Sequence, residues 1–214
     1  MALFSKSELE NRIIQKSIYS SESTVLREGI KNFCVHDSAI VYDVFLSHSY
    51  KDKKAVLALA DEFKNKYKLN VYIDWLEDSE LDRTHVNAKT AQTIKERMQN
   101  CKCLLYATSE NSSSSKWMPW ETGLMDGLNG RVAICPLMGG SDSNFNGQEY
   151  LSLYPFLSYE KAESGKDTLW INEGSKYVKF SDWLKGQEPY NHSYRGCMKS
   201  FYQLVILGSP NFEF

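Results

Sequence analysis

The sequence contains no apolar run approaching the roughly 20 residues that a membrane-spanning helix needs. Its opening, MALFSKSELENR, turns polar too soon for a secretory signal. It carries little net charge: 25 basic against 27 acidic residues leave -2, and no long basic stripe marks a nucleic-acid surface. Cysteine is sparse and unpatterned. Cys34, Cys101, Cys103, Cys135 and Cys197 form an odd set without framework spacing, which suits reduced thiols in a cytoplasmic protein. The NCKC pair has neither a second pair nor spaced histidines, so no metal site is expected, and its thiols read as small buried groups at a strand edge. There is no internal repeat and no low-complexity tract beyond the serines at 112–115.

What is present is ordinary. A hydrophobic content of 42% and a charged content of 24% over 214 residues describe a soluble globular chain, long enough for a sizeable core and too short to force two domains.

Residues 1–38 read as a helical prefix. Ser7 and Glu10 make a capping box, apolar residues recur at Leu9, Ile13, Ile14 and Ile18, and again at Val25, Leu26, Ile30 and Phe33, and SSES at 20–23 divides two helices. The period then changes. Residues 39–47 are a near-continuous apolar run, as in a strand covered on both faces. An amphipathic helix follows, with Val56, Leu59, Ala60 and Phe63 on one face. LNVYID is a second strand ending at Asp74, WLEDSELDRTHVN an acidic loop, and AKTAQTIKERMQN a second helix. CKCLLYATS is a third strand, PWETGLMDGLNG a helix with proline in its first turn, and RVAICPLMG a fourth strand stopped by Pro136 and Gly139. Beyond 140, TLWINEGSKYVKF resembles two short strands and CMKSFYQLVILG a closing helix. Strands alternating with helices predict an α/β fold, a parallel sheet with helices on both faces. The expected organisation is a prefix at 1–38, a core at 39–140 and a completing C-terminal part at 141–214.

In such sheets ligands bind at the carboxyl ends of the strands, where strand order reverses. With the first strand central, the site lies between the loop SHSYKDK and the loop SENSSSSKW. The serines and free amides of the second loop suit an anion such as a phosphate. Glu121 then has two readings. As a helix-start acid it is favoured by the backbone dipole, and sequence physics alone prefers this. As an ionised carboxylate in an aromatic-walled cleft it could hold ribose hydroxyls and stabilise positive charge developing on a sugar. Trp117 and Trp120, three apart, read as core packing or as pocket wall. His48, Ser47 and Ser49 read as loop hydrogen-bonders, since no base is spaced to activate a serine.

YDVFLSHSYKDK, VYIDWLEDSELD, CKCLLYATSENSSSSKWMPWETG and RVAICPL, in that order, resemble a TIR domain over roughly residues 40–140. The resemblance implies a flavodoxin-like sheet of order 2-1-3-4-5. It implies an enzyme that cleaves the nicotinamide–ribose bond of NAD+, taken as substrate with no other cofactor, and releases, cyclises or transfers ADP-ribose as an immune signal or to deplete NAD in antiphage defence. It places the catalytic glutamate at Glu121 and the substrate contacts at Phe45, Ser47, His48, Asp74, Ser115 and Trp117, to which the aromatic-wall reading adds Trp120. It implies self-association through TIR surfaces and a downstream effector responding to the product, with neither nucleic acid nor membrane as partner. Three features depart from the family pattern: the loop after Asp74 lacks glycine, Met118 stands where many relatives have cysteine, and Pro119 lies inside the motif. The rival readings are a non-catalytic TIR adaptor and a nucleoside deoxyribosyltransferase-like enzyme. A phospho-receiver is excluded because the third strand ends in Thr108-Ser109 rather than an aspartate.

Overall fold

A computed structural model of the chain describes residues 2–17, 41–77, 87–139, 149–161 and 167–191. Its centre is a sheet whose strands are β1 (Phe4–Ser5), β2 (Tyr42–Ser47), β3 (Val71–Tyr72), β4 (Cys101–Thr108), β5 (Val132–Met138), β6 (Phe156–Lys161), β7 (Asp167–Glu173) and β8 (Lys176–Lys179). The helices are α1 (Lys6–Ser17), α2 (Lys53–Asn65), α3 (Asp74–Glu77), α4 (Ala88–Gln99), α5 (Trp117–Asn129) and α6 (Phe180–Trp183). The strands run in the order β3-β2-β4-β5-β6-β7-β8. The first five are parallel, and β7 and β8 extend the sheet antiparallel. This is the expected 2-1-3-4-5 order with a hairpin added at one edge.

Strand parity divides the core. Val44 and Leu46 of β2 face one side with Leu105 and Cys135, covered by α1 and α2 through Leu9, Ile13, Val56, Leu59 and Phe63. Phe45 faces the other side with Leu104 and Tyr106, against Ile94 and Met98 of α4 and Trp117, Met118 and Met125 of α5. Local signals set the helix ends. Asn87 caps α4 by accepting from the Thr90 amide at 2.8 Å, and Gly130 ends α5 at φ 67°, where a side chain would be strained.

Several boundaries differ from those expected. The chain opens with a strand before its first helix: Phe4 pairs with Leu137 of β5, and Ala2 bridges to Tyr159. Helix α1 therefore starts at Lys6, and Ser5, not Ser7, accepts from the Glu8 amide, three residues on. Ile14 is largely exposed although Leu9 and Ile13 are buried. The second strand stops at Tyr72, and Asp74 begins α3 rather than ending a strand. Pro136 lies inside β5, at the last rung shared with β4, rather than stopping it. The NCKC cysteines open a central strand, not an edge. The fifth parallel strand, Phe156–Lys161, had no sequence assignment. The expected second prefix helix and closing helix lie outside the described residues, as does most of the acidic loop.

Candidate active site

At the carboxyl end of the sheet, β2 and β4 lie side by side, with Ser47 the register partner of Tyr106. Beyond this rung the chain departs to opposite faces, from β2 into α2 and from β4 into α5, and the crevice left between is where ligands of such sheets bind. Ser47 Oγ donates to Glu121 Oε2 across it at 2.6 Å. Glu121 is 0% exposed. It is the fifth residue of α5, two positions later than expected. The dipole preference for acids in a first turn therefore does not account for it. A buried carboxylate is costly unless charge-assisted hydrogen bonds offset its lost hydration, and Ser47 provides one.

Helix α5 is aimed by its first turn. Ser115, with extended backbone, accepts from the Met118 amide through its Oγ at 3.3 Å. Pro119 fits because the first-turn N–H groups have no intrahelical acceptor. Trp117 is buried and meets Trp120 edge to face at 5.6 Å, while Trp120 is 39% exposed. Trp117 thus belongs to the core and Trp120 presents a ring to solvent one helical step before Glu121. Phe45 is buried and stacks on Tyr72 at 5.1 Å, supporting the crevice from beneath.

His48 and Asp74 form a second cluster. His48 Nδ1 lies 2.7 Å from the Leu46 carbonyl, and Trp75 Nε1 donates to His48 Nε2 at 2.8 Å. An indole can only donate, so these partners assign His48 as the neutral Nδ1–H tautomer. Asp74 Oδ1 stands 3.6 Å from the same Nε2. All three hold β2 and α3 together beside the crevice, and both ring nitrogens of His48 are engaged with protein atoms.

Four groups around the crevice were not expected from the sequence. Tyr106 and Tyr150 bring buried phenols to it; Tyr106 reads in sequence as an apolar-strand aromatic, and only pairing with Ser47 shows which way it faces. Burial, then the neighbouring Tyr150, then the Glu121 charge push the Tyr106 phenol above its ordinary range. On the opposite face Asp52, wholly buried, takes Lys6 Nζ at 2.6 Å, Asn111 Nδ2 at 2.6 Å and the Ser109 hydroxyl. Lys6 also pairs with Glu110. This network fastens the loop after β2 to the loop after β4, with the N-terminal arm as the clasp.

Two concavities along the described residues lie elsewhere. One, of about 590 Å³, runs between α1 and α2, and the other, of about 280 Å³, lies at the opposite end of the strands near Asp126 and Glu188. Glu121 and Ser47 are both buried, so a ligand reaches them only if enclosing groups move.

The TIR domain family matches residues 44–171. The chain is 42% identical over 195 residues to a protein of Bacillus cereus (strain MSX-D12) bearing the name 3′ cyclic ADP-D-ribose synthase ThsB′, covering 86% of this chain and 99% of that protein. It is 38% identical over 96 residues to TIR2 of Cytobacillus dafuensis, whose name is also that of a cyclic ADP-D-ribose synthase, covering 44% of this chain and 25% of that one. With this sheet order, this site position and a match across more than half its length, the chain belongs to the TIR domain family.

Proposed function

We propose that the chain cleaves the nicotinamide–ribose bond of NAD+ and closes the resulting ADP-ribose into a ring. The observation that carries this is the fully buried Glu121 carboxylate, anchored by Ser47 at the switch point of the sheet. The names of the two relatives support the choice of substrate and product.

Nicotinamide in NAD+ is already a cationic leaving group, so the bond breaks without a strong acid. Its electron pair goes to the ring nitrogen, nicotinamide leaves neutral, and positive charge develops at the ribose carbon. The Glu121 carboxylate stabilises that charge, and the Ser47 hydroxyl holds the carboxylate in place. A hydroxyl of the substrate's second ribose then attacks the carbon and gives up its proton to Glu121 or to water; attack by water instead gives linear ADP-ribose. Burial serves this chemistry because water is both the competing nucleophile and a screen for the stabilising charge. Trp120 and the Ser109–Ser115 loop receive the base and pyrophosphate once the crevice opens, while Phe45, His48, Asp74, Ser115 and Trp117 hold its walls.

In this reading NAD+ is a substrate, no other cofactor is needed, and the reaction runs in the cytoplasm. The cyclic product addresses a downstream effector in antiphage defence, and TIR surfaces associate with one another. Among the described residues no helix is long and apolar enough to cross a membrane. The test is to incubate the purified chain with NAD+ and follow free nicotinamide. Glu121→Gln is expected to lower release by about 10²–10³-fold with the fold retained by circular dichroism. An inactive parent would favour the adaptor reading, and cleavage of nucleosides but not NAD+ the deoxyribosyltransferase-like one.

A further inference from the structure

Two neighbouring buried phenol hydroxyls have no hydrogen-bond partner, those of Tyr106, which feels the Glu121 charge, and of Tyr150. Tyr106 is 0% exposed and is the register partner of Ser47, whose hydroxyl holds the Glu121 carboxylate. Paired residues of neighbouring strands face the same side, so the Tyr106 phenol points toward α5. Tyr150, on the turn Glu149–Leu153, packs against the same half of the core. The two hydroxyls lie close to each other, and that of Tyr106 close to Ser112, near enough to act on one another's ionisation but not in the geometry of a hydrogen bond.

A buried hydroxyl left unpaired loses its hydration without return. At a purely structural position phenylalanine would fill the same volume without that loss. The other buried unpartnered donors among the described residues, Tyr67 and Trp170, lie away from Glu121, beside Lys66 and Tyr177 respectively. Only the Tyr106–Tyr150 pair adjoins the crevice, where Glu121 and Ser47 are themselves buried.

We propose that the Tyr106 and Tyr150 hydroxyls are substrate-contacting groups, kept without protein partners so that they can bond a ribose hydroxyl of the dinucleotide when the crevice opens. This rests on the NAD+ reading and deepens it. A phenol both donates and accepts, which matches a sugar hydroxyl. Placed next to Glu121, the pair orients the attacking hydroxyl of the second ribose, and so sets the share of cyclic over linear product.

The experiment compares the parent, Tyr106→Phe and Tyr150→Phe in NAD+ turnover, in product ratio by mass spectrometry and in thermal melting. Loss of one neutral hydrogen bond is expected to lower kcat/KM by about three- to ten-fold and to raise the linear fraction, while Tyr106→Phe melts at the same or a higher temperature. Phe variants with parental kinetics and product ratio would overturn the proposal, as would a Tyr106→Phe that melts lower with unchanged kinetics. Tyr150→Phe, on a half-buried turn, carries the test if the core variant folds poorly. A parent that releases no nicotinamide sinks the NAD+ reading; an active parent matched by both variants sinks only this proposal.

Discussion

Glu121, on which the proposed chemistry rests, was singled out in the sequence by the TIR resemblance through its spacing from Trp117, yet the physical reason for an acid there was not legible. Fifth in α5 and fully enclosed, it gains little from the helix dipole and depends on donors supplied by other elements. Ser47 is one, brought from 74 positions away by strand pairing. Ser47→Ala should therefore destabilise the fold by about 1–3 kcal/mol, since a buried carboxylate loses a donor. It should also slow NAD+ cleavage while leaving Glu121 in place. Urea unfolding and nicotinamide release measure the two effects, and normal values for both would show that the bond is dispensable. Tyr106 escaped sequence reading for a related reason. An aromatic in an apolar strand looks like core, and which hydroxyls go unpaired is known only when the strands are aligned.

At the scale of elements, the N-terminal arm does more than pack. Burial works against the Lys6 ammonium, but hydrogen bonds and charges from Asp52 and Glu110 outweigh it, and its pKa is raised above 10.5. A lysine raised on folding contributes stability that is complete below its unfolded pKa and is lost as pH climbs through the folded value. The clasp should thus hold through neutral pH and weaken only in alkali. Lys6→Met should cost on the order of 3 kcal/mol at pH 7, because Asp52 keeps its hydroxyl and amide donors but loses its cation. The variant should also lack the parent's loss of stability above about pH 10.5; alkaline denaturation curves check both, and superimposable curves would remove Lys6 from the account. Helices α2, α4 and α5 were readable because each carries a clear apolar stripe or cap. Strand β3 shortened to two residues because the chain turns into α3 at Asp74. Strand β1 was invisible because two residues carry no period, and only its slot beside Leu137 makes it a strand.

For the whole molecule, the alternation of strands and helices was enough to predict a parallel sheet, while its 2-1-3-4-5 order came from the TIR resemblance and its fifth strand was not read at all. The antiparallel hairpin was readable from its turn, but not its place at the sheet edge, which rests on pairing to the unassigned β6. The thiols report on the integrity of this sheet. Burial raises the pKa of Cys101, Cys103 and Cys135, keeping them protonated and shielded. Alkylation of these three in the native protein at pH 8 should follow global unfolding, slowing with added stability. Rapid labelling without denaturant would show the sheet opening locally. The account as a whole turns on one carboxylate acting on one bond. The most direct measurement is mass-resolved product formation from NAD+ by the parent and by Glu121→Gln. The parent should release nicotinamide together with cyclic ADP-ribose, and the variant, folded, should release almost none. A folded Glu121→Gln that cleaves NAD+ as fast as the parent would contradict it.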